Sequence, residues 1–185
     1  AQDNGSVRNI GGAGTDFEQV TGGDGVSVGL TDLISGTQYE YVGSQNGTIN
    51  RRASTTALGF INAGITPTGE GGTGLFVTLF KVDPDNGQNL YYANDNSLYR
   101  TTSASTVTSA TWTSMTGVAS SIGGANDITA LALTRGTYSA ATASLFMGTS
   151  NAKVFRLDDP AGIAAATAPV DISAAGFPAG ANVSS

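Results

Sequence analysis

The side chains best suited to chemistry are a sparse set of carboxylates in glycine- and asparagine-rich turns. Asp3 stands in Gln2-Asp3-Asn4-Gly5, and Asp24 in Gly22-Gly23-Asp24-Gly25. Either could act as a general acid, a general base or a ligand anchor lining a central cleft. The competing use is local: an Asp in such a turn bonds its own backbone, and that use is favoured. Asp83, Asp85 and Asn86, ahead of Gly87, imitate the opening of a calcium loop. Calcium takes about six to eight oxygens, and an EF-hand loop closes with a Glu at about its twelfth position. Asn94 and Asp95 fall near that place, but the Asn89-Leu90-Tyr91-Tyr92 run before them reads as strand. A hairpin turn is the better expectation for 83–87, with calcium at Asp83, Asp85 and Asn86 the weaker alternative.

Histidine and cysteine are absent. The commonest general base, the usual zinc ligands, any Ser-His triad and any disulfide are therefore excluded. No cofactor is implied. The chain carries 14 acidic and 8 basic side chains, a net charge of −6, with only Arg51 and Arg52 adjacent among the cations. No basic stripe exists to neutralise phosphates, so nucleic acid is not an expected partner. No apolar run approaches the roughly 20 residues of a membrane-crossing helix, so membrane insertion is not expected. The pairs Arg51-Arg52 and Asp158-Asp159 are too short to mean more than solvated strand ends.

Tyr39, Tyr41, Tyr91, Tyr92, Tyr99 and Trp112 could make a sugar-stacking surface. Strand alternation puts Tyr39 and Tyr41 on one face and splits Tyr91 from Tyr92, which favours packing between sheets instead. Arg51, Arg100 and Arg156 recur in register, which predicts an architectural role. A sialidase-type arginine cluster is a poor match to one Arg per repeat.

These residues sit in a repeated phrase, a polar turn followed by a short strand. It reads Gln2-Asp3-Asn4-Gly5-Ser6-Val7-Arg8, then Ser44 to Arg51, Asn94 to Arg100 and Thr149 to Arg156. The apolar anchors Val7, Ile49, Leu98 and Val154 are 42, 49 and 56 residues apart. A strand-built period of this size predicts the blades of a propeller. Of 185 residues, 39% are hydrophobic, only 12% are charged and 26 are Gly, a composition for short strands and turns rather than long exposed helices.

The expected class is all-β, an arc of about three and a half blades, each a four-stranded antiparallel sheet. Residues 1–22 would be a partial blade, 23–73, 74–122 and 123–178 full blades, and 179–185 a lead-in to another. The central blade illustrates the reading, with strands at 76–82, 89–93, 97–102 and 110–115. Blade 23–73 takes its fourth strand at 58–62, and blade 123–178 its fourth at 168–172. One or two helical turns, or an Ala-rich loop, are expected at 159–167, where Asp159-Pro160 suits a helix start. Such an arc cannot close a ring, so the chain is expected to be part of a longer one, or else a subunit whose ring other chains complete.

The Gln2-Asp3-Asn4-Gly5 and Gly22-Gly23-Asp24-Gly25 phrases, with Asp83-Pro84-Asp85-Asn86 and the tail Ala179 to Ser185, resemble the sortilin-like and sialidase-repeat (BNR, Asp-box-like) propellers of large secreted bacterial proteins of the Bacteroidetes type. Of the Asp-box, which resembles Ser-x-Asp-x-Gly-x-Thr-Trp, only Thr111-Trp112 is present. More distantly, the turn holding Asp3 resembles one that carries a catalytic Asp in xyloglucan-cleaving propellers.

The resemblance implies a secreted or cell-surface bacterial module without catalytic residues, serving as a scaffold or as a platform for glycans or extracellular proteins, in contact with the remainder of its own chain. The alternative is a glycoside hydrolase of xyloglucanase or sialidase type with one carboxylate, Asp3 or Asp24, in this segment. An inverting enzyme of that kind needs two carboxyl groups about 6.5–9.5 Å apart. A further alternative is a self-assembling surface or filament subunit, with open arcs stacking edge to edge.

Overall fold

The computed structural model describes residues 5–9, 17–53, 63–174 and 181–184. The protein is all-β, with one short helix. A hairpin pairs β1 (Val7–Asn9) with β2 (Phe17–Gln19). The first four-stranded sheet runs in chain order through β3 (Ser27–Leu30), β4 (Tyr39–Gly43), β5 (Ile49–Ala53) and β6 (Ala63–Gly64). The second runs through β7 (Leu79–Val82), β8 (Leu90–Asn94), β9 (Ser97–Thr101) and β10 (Thr113–Ser114). The third runs through β11 (Ile128–Leu133), β12 (Ser144–Thr149), β13 (Val154–Asp158) and β14 (Val170–Asp171). Every pairing is antiparallel between chain neighbours, as short β-branched and aromatic runs joined by tight turns require.

The second sheet is buried on both faces. Alternation along β8 sends Leu90 and Tyr92 into a cluster with Tyr41, Ile49 and Ile65 of the first sheet. Tyr91 and Ala93 turn the other way, into a cluster with Leu131, Leu145, Met147, Phe155 and Leu157 of the third sheet. The first strands of the three sheets meet, β3 against β7 and β7 against β11. A smaller contact, Val20 with Val42, seats the hairpin on the first sheet.

The backbone fixes a common register. The N–H groups of Val20, Ile65, Met115 and Ile172 donate to the carbonyls of Ser6, Ile49, Leu98 and Val154 at 2.8, 3.0, 2.8 and 2.9 Å. A hydroxyl one residue further on then accepts from the third-strand N–H: Thr21 from Ser6, Thr66 from Ile49 and Ser173 from Val154, each at 3.0 Å. The anchor of the first repeat is therefore Ser6, which is buried, and not Val7, which points outward. With that correction Arg8 joins Arg51, Arg100 and Arg156 two residues after its anchor.

Two further expectations change, at the fourth strands and at Arg52, and one element is unforeseen. Residues 159–167 form turns, the loop alternative, and the helix is α1, Thr116–Ile122. Of Thr-Gly-Val-Ala-Ser-Ser-Ile only Ala119 favours a helix, and Met115 supplies no side-chain cap. Burial of Val118 and Ile122 in the cluster between the second and third sheets sustains it instead. The fourth strands are shorter than expected, reduced to Thr113–Ser114 and Val170–Asp171. The expected strand at 58–62 lies outside the described residues. Arg52 is not a solvated strand end: its side chain is buried and grips Glu40 through Nε at 3.0 Å and Nη2 at 2.7 Å. Glu40 faces Arg52 directly across β4 and β5, and Arg8 reaches the same carboxylate at 3.4 Å.

Candidate functional site

Because the first strands meet, their side chains line a common groove of about 340 Å3. Its walls come from Val28 to Leu30 of β3, Phe80 to Val82 of β7 and Ala132 and Leu133 of β11, with Pro84 and Arg135 at one end. Close approach of β3 to β7 requires Gly29, where a Cβ would sit 2.8 Å from a Val82 methyl. The charged lining residues are Lys81 and Arg135. Arg135 is held by Asp85, whose carboxylate accepts from its Nε at 3.0 Å and from the Gly136 N–H at 2.7 Å. Those two donors, the Arg135 side chain first, pull the Asp85 carboxyl below its usual range. The groove thus offers apolar contact flanked by Lys81 and by the Arg135–Asp85 ion pair.

The carboxylates singled out by the sequence are dispersed. Asp3 lies outside the described residues. Asp24 sits in the turn entering the first sheet, where its N–H donates to Gln45 Oε1 at 3.0 Å. Asp83 closes the β7–β8 hairpin. Its Oδ1 accepts from the N–H groups of Asp85 and Asn86 at 2.9 and 3.2 Å, and its Oδ2 from Asn89 Nδ2 at 3.1 Å. Asn86 Oδ1 accepts from the Gln88 N–H at 3.2 Å. Asp83, Asp85 and Asn86 therefore serve three separate sets of donors and do not converge on one point. Among the described residues no three His, Cys, Asp or Glu side chains group as metal ligands.

The aromatic residues pack between sheets. Tyr41, Tyr91 and Tyr92 are fully buried, and Tyr39, Tyr99 and Trp112 lie against the cluster of the first two sheets. Tyr92 donates to the Gly47 carbonyl at 2.8 Å and Trp112 to the Ile65 carbonyl at 2.6 Å, both across a sheet boundary. Tyr99 donates to Glu70 at 2.5 Å, and burial with that bond pushes its phenol up to about 12. A second cavity, about 50 Å3 beside Asp83 and Tyr138, is too small for a sugar ring.

The arginine register resolves into a joint. Arg51 Nη1 donates to the carbonyls of Ala104 and Val107 at 2.9 and 2.8 Å, in the loop after β9 of the following sheet. Arg100 Nη1 donates to the Pro160 carbonyl at 2.9 Å, in the loop after β13. Arg156 turns back on Asp158, 2.8 Å away in its own strand. The architectural role expected for Arg51 and Arg100 is therefore what these bonds provide, while the loop carbonyls that receive them were not foreseen; a further register signal, an apolar residue followed by a hydroxyl at Val20-Thr21, Ile65-Thr66, Met115-Thr116 and Ile172-Ser173, went unread. It also missed the groove, whose lining alternates along three strands far apart in the chain. Comparison with protein-family models, with curated proteins and with solved structures finds no match for this chain.

Proposed function

We propose that this chain is an arc of a β-propeller whose sheets are blades, and that it works as a non-catalytic module of a secreted or cell-surface bacterial protein, binding a glycan or an extracellular protein segment. The observation that carries this reading is the meeting of the three first strands along one groove, repeated from sheet to sheet by the same arginine joint. Blades packed face to face place their first strands around an axis and leave their loops free to make contacts. The groove lining brings Lys81 and an Arg135 paired with Asp85 but no pair of carboxylates, so it suits contact with an acidic or hydroxyl-rich chain rather than acid–base work. The glycine-rich, weakly charged composition and the resemblance to sortilin-like and sialidase-repeat propellers support the extracellular assignment.

The test is titration of the isotope-labelled protein with neutral and acidic oligosaccharides and with an acidic peptide. The expected result is saturable shifts at Phe80, Lys81 and Val82 without turnover, lost in Lys81→Glu. Hydrolysis of any oligosaccharide, or no shift with every ligand at about 1 mM, would overturn the proposal.

A further inference from the structure

Just past each last strand the shared register sets one apolar position, held by Val20, Ile65, Met115 and Ile172. The sheet that follows buries the first three, each to 2% exposure or less. Val20 lies against Val42, Ile65 in the cluster with Phe80 and Tyr92, and Met115 in the cluster with Leu131 and Leu145. Ile172 is 39% exposed, and Val170, opposite Arg156, is exposed with it. Arg156 stands where Arg51 and Arg100 reach carbonyls of the next sheet, yet it closes on Asp158 in its own strand. The outer face of the third sheet is a joint with half of its cover missing.

The other half of the cover is present. The Val183 N–H donates to the Thr149 carbonyl at 3.2 Å, and its carbonyl accepts from the Thr129 hydroxyl at 2.5 Å. Thr78, just before β7, meets the first sheet in the same way, its carbonyl accepting from the Ser27 hydroxyl at 2.8 Å. A Cβ at Gly43 would meet Thr78, and one at Gly148 would meet Val183. Val183 thus holds the place from which a first strand starts, while Val170 and Ile172 lie where third and fourth strands would cover them.

The hairpin carries the matching cover. Val7 of β1 holds the place of Tyr99 in β9, one residue after its anchor. Phe17 of β2 holds the place of Trp112, three residues before Val20 as Trp112 is before Met115. Tyr99 and Trp112 lie against the cluster of the preceding sheet, and Trp112 donates to the Ile65 carbonyl. Val7 and Phe17 are 57% and 62% exposed, so the sheets of the same molecule leave them uncovered. On that side of the molecule Val28 of β3, in the register place of Phe80 of β7, is exposed too.

We infer that a second copy of this chain docks head to tail, its β1–β2 hairpin lying on the outer face of the third sheet with Phe17 over Ile172. The hairpin of one copy and Val183 of the other then belong to one composite sheet. Arg156 turns from Asp158 to a loop carbonyl of the incoming copy, as Arg51 and Arg100 do at the complete joints. Exposed apolar side chains at both ends of the arc are covered by the same contact. The contact is heterologous, a different patch on each copy, so it repeats until it closes. Each copy brings three sheets and one hairpin, and two copies make eight layers, within the range of about four to eight blades that close a ring. Closure at two copies rests on the reading of the sheets as blades; the contact rests on the joints alone.

The experiment is analytical ultracentrifugation of the full chain from about 1 µM to 1 mM. Two variants accompany it, Phe17→Asp at the head and Ile172→Asp at the tail, with circular dichroism to verify folding. Val7→Asp and Val170→Asp give the same test if either fails to fold. The parent should associate reversibly to a dimer, and each variant should raise the midpoint concentration at least about tenfold. An equimolar mixture of the two variants should associate more strongly than either alone, because an intact head then meets an intact tail. A parent that stays monomeric at about 1 mM, or a mixture no stronger than its parts, would overturn the inference. So would an unaltered midpoint in Ile172→Asp, which would assign the contact to two hairpins, or in Phe17→Asp, which would assign it to two third sheets.

Discussion

Arg100 of β9 donates a hydrogen bond to the backbone carbonyl of Pro160, 2.9 Å away in the next sheet. Arg51 makes the equivalent bond one sheet earlier, to Ala104 and Val107. A guanidinium suits this place because its fork can satisfy loop carbonyls that no strand reaches. The recurrence shows that the two joints among the three sheets follow one rule.

Replacing Arg51 with Ala should therefore cost about 1.5–3 kcal/mol, the usual net worth of a hydrogen bond from a charged group. Arg100→Ala should cost less, since it releases one carbonyl where Arg51 releases two. Arg156→Ala should be nearly neutral, because its partner Asp158 is exposed and in the same strand. Denaturant unfolding of the three variants checks the order.

The same register position carries opposite costs in neighbouring sheets. Phe80→Ala should destabilise by about 3–5 kcal/mol, as for other buried aromatics. Val28→Ser, at the equivalent but open place, should stay within about 0.5 kcal/mol. Calorimetric melting of both variants separates burial from residue type.

Gly117→Ala tests whether tertiary contact or helix propensity governs α1. Propensity alone favours Ala by about 1 kcal/mol. A Cβ there would sit 2.2 Å from the backbone carbonyl oxygen of Thr167, which has little freedom to withdraw. The variant should be less stable than the parent by about 1–3 kcal/mol, measured by urea denaturation.

Asp171 gives the protein an acid-side dependence. Hydrogen bonds from Ser173 and then Lys153 hold its carboxyl at about 2. An unfolded Asp titrates near 3.9, so the unfolded chain binds the proton first. The contribution is complete above about pH 4 and is lost as pH falls through the folded value. Carboxyl chemical shifts should show Asp171 ionised at pH 3, and Asp171→Asn should flatten the fall in Tm between about pH 4 and 2.

Much of the fold was legible because its signals are local. The β7–β8 turn follows from Asp83, Pro84 and Gly87, and the strands from alternating apolar runs. The arginine register was visible as spacing alone. What escaped the sequence depends on contacts distant in the chain. Ser6 is the polar member of an otherwise apolar anchor series, so periodicity slipped by one residue to Val7. The helix α1 exists because Val118 and Ile122 find a core, not because its residues favour helix. Arg52 looks like a solvated strand end until Glu40 is placed across from it. The groove between first strands carries no motif, since β3, β7 and β11 each contribute only a few side chains.

The central claim is that the sheets stack with their first strands together. The most direct test is a nuclear Overhauser measurement between the α-protons of Gly29 and the methyl groups of Val82. The account predicts a strong cross-peak, as the Gly29 backbone lies against that side chain. Its absence, with cross-peaks instead joining β3 to the fourth strand β10, would contradict the arrangement of sheets on which the proposed function depends.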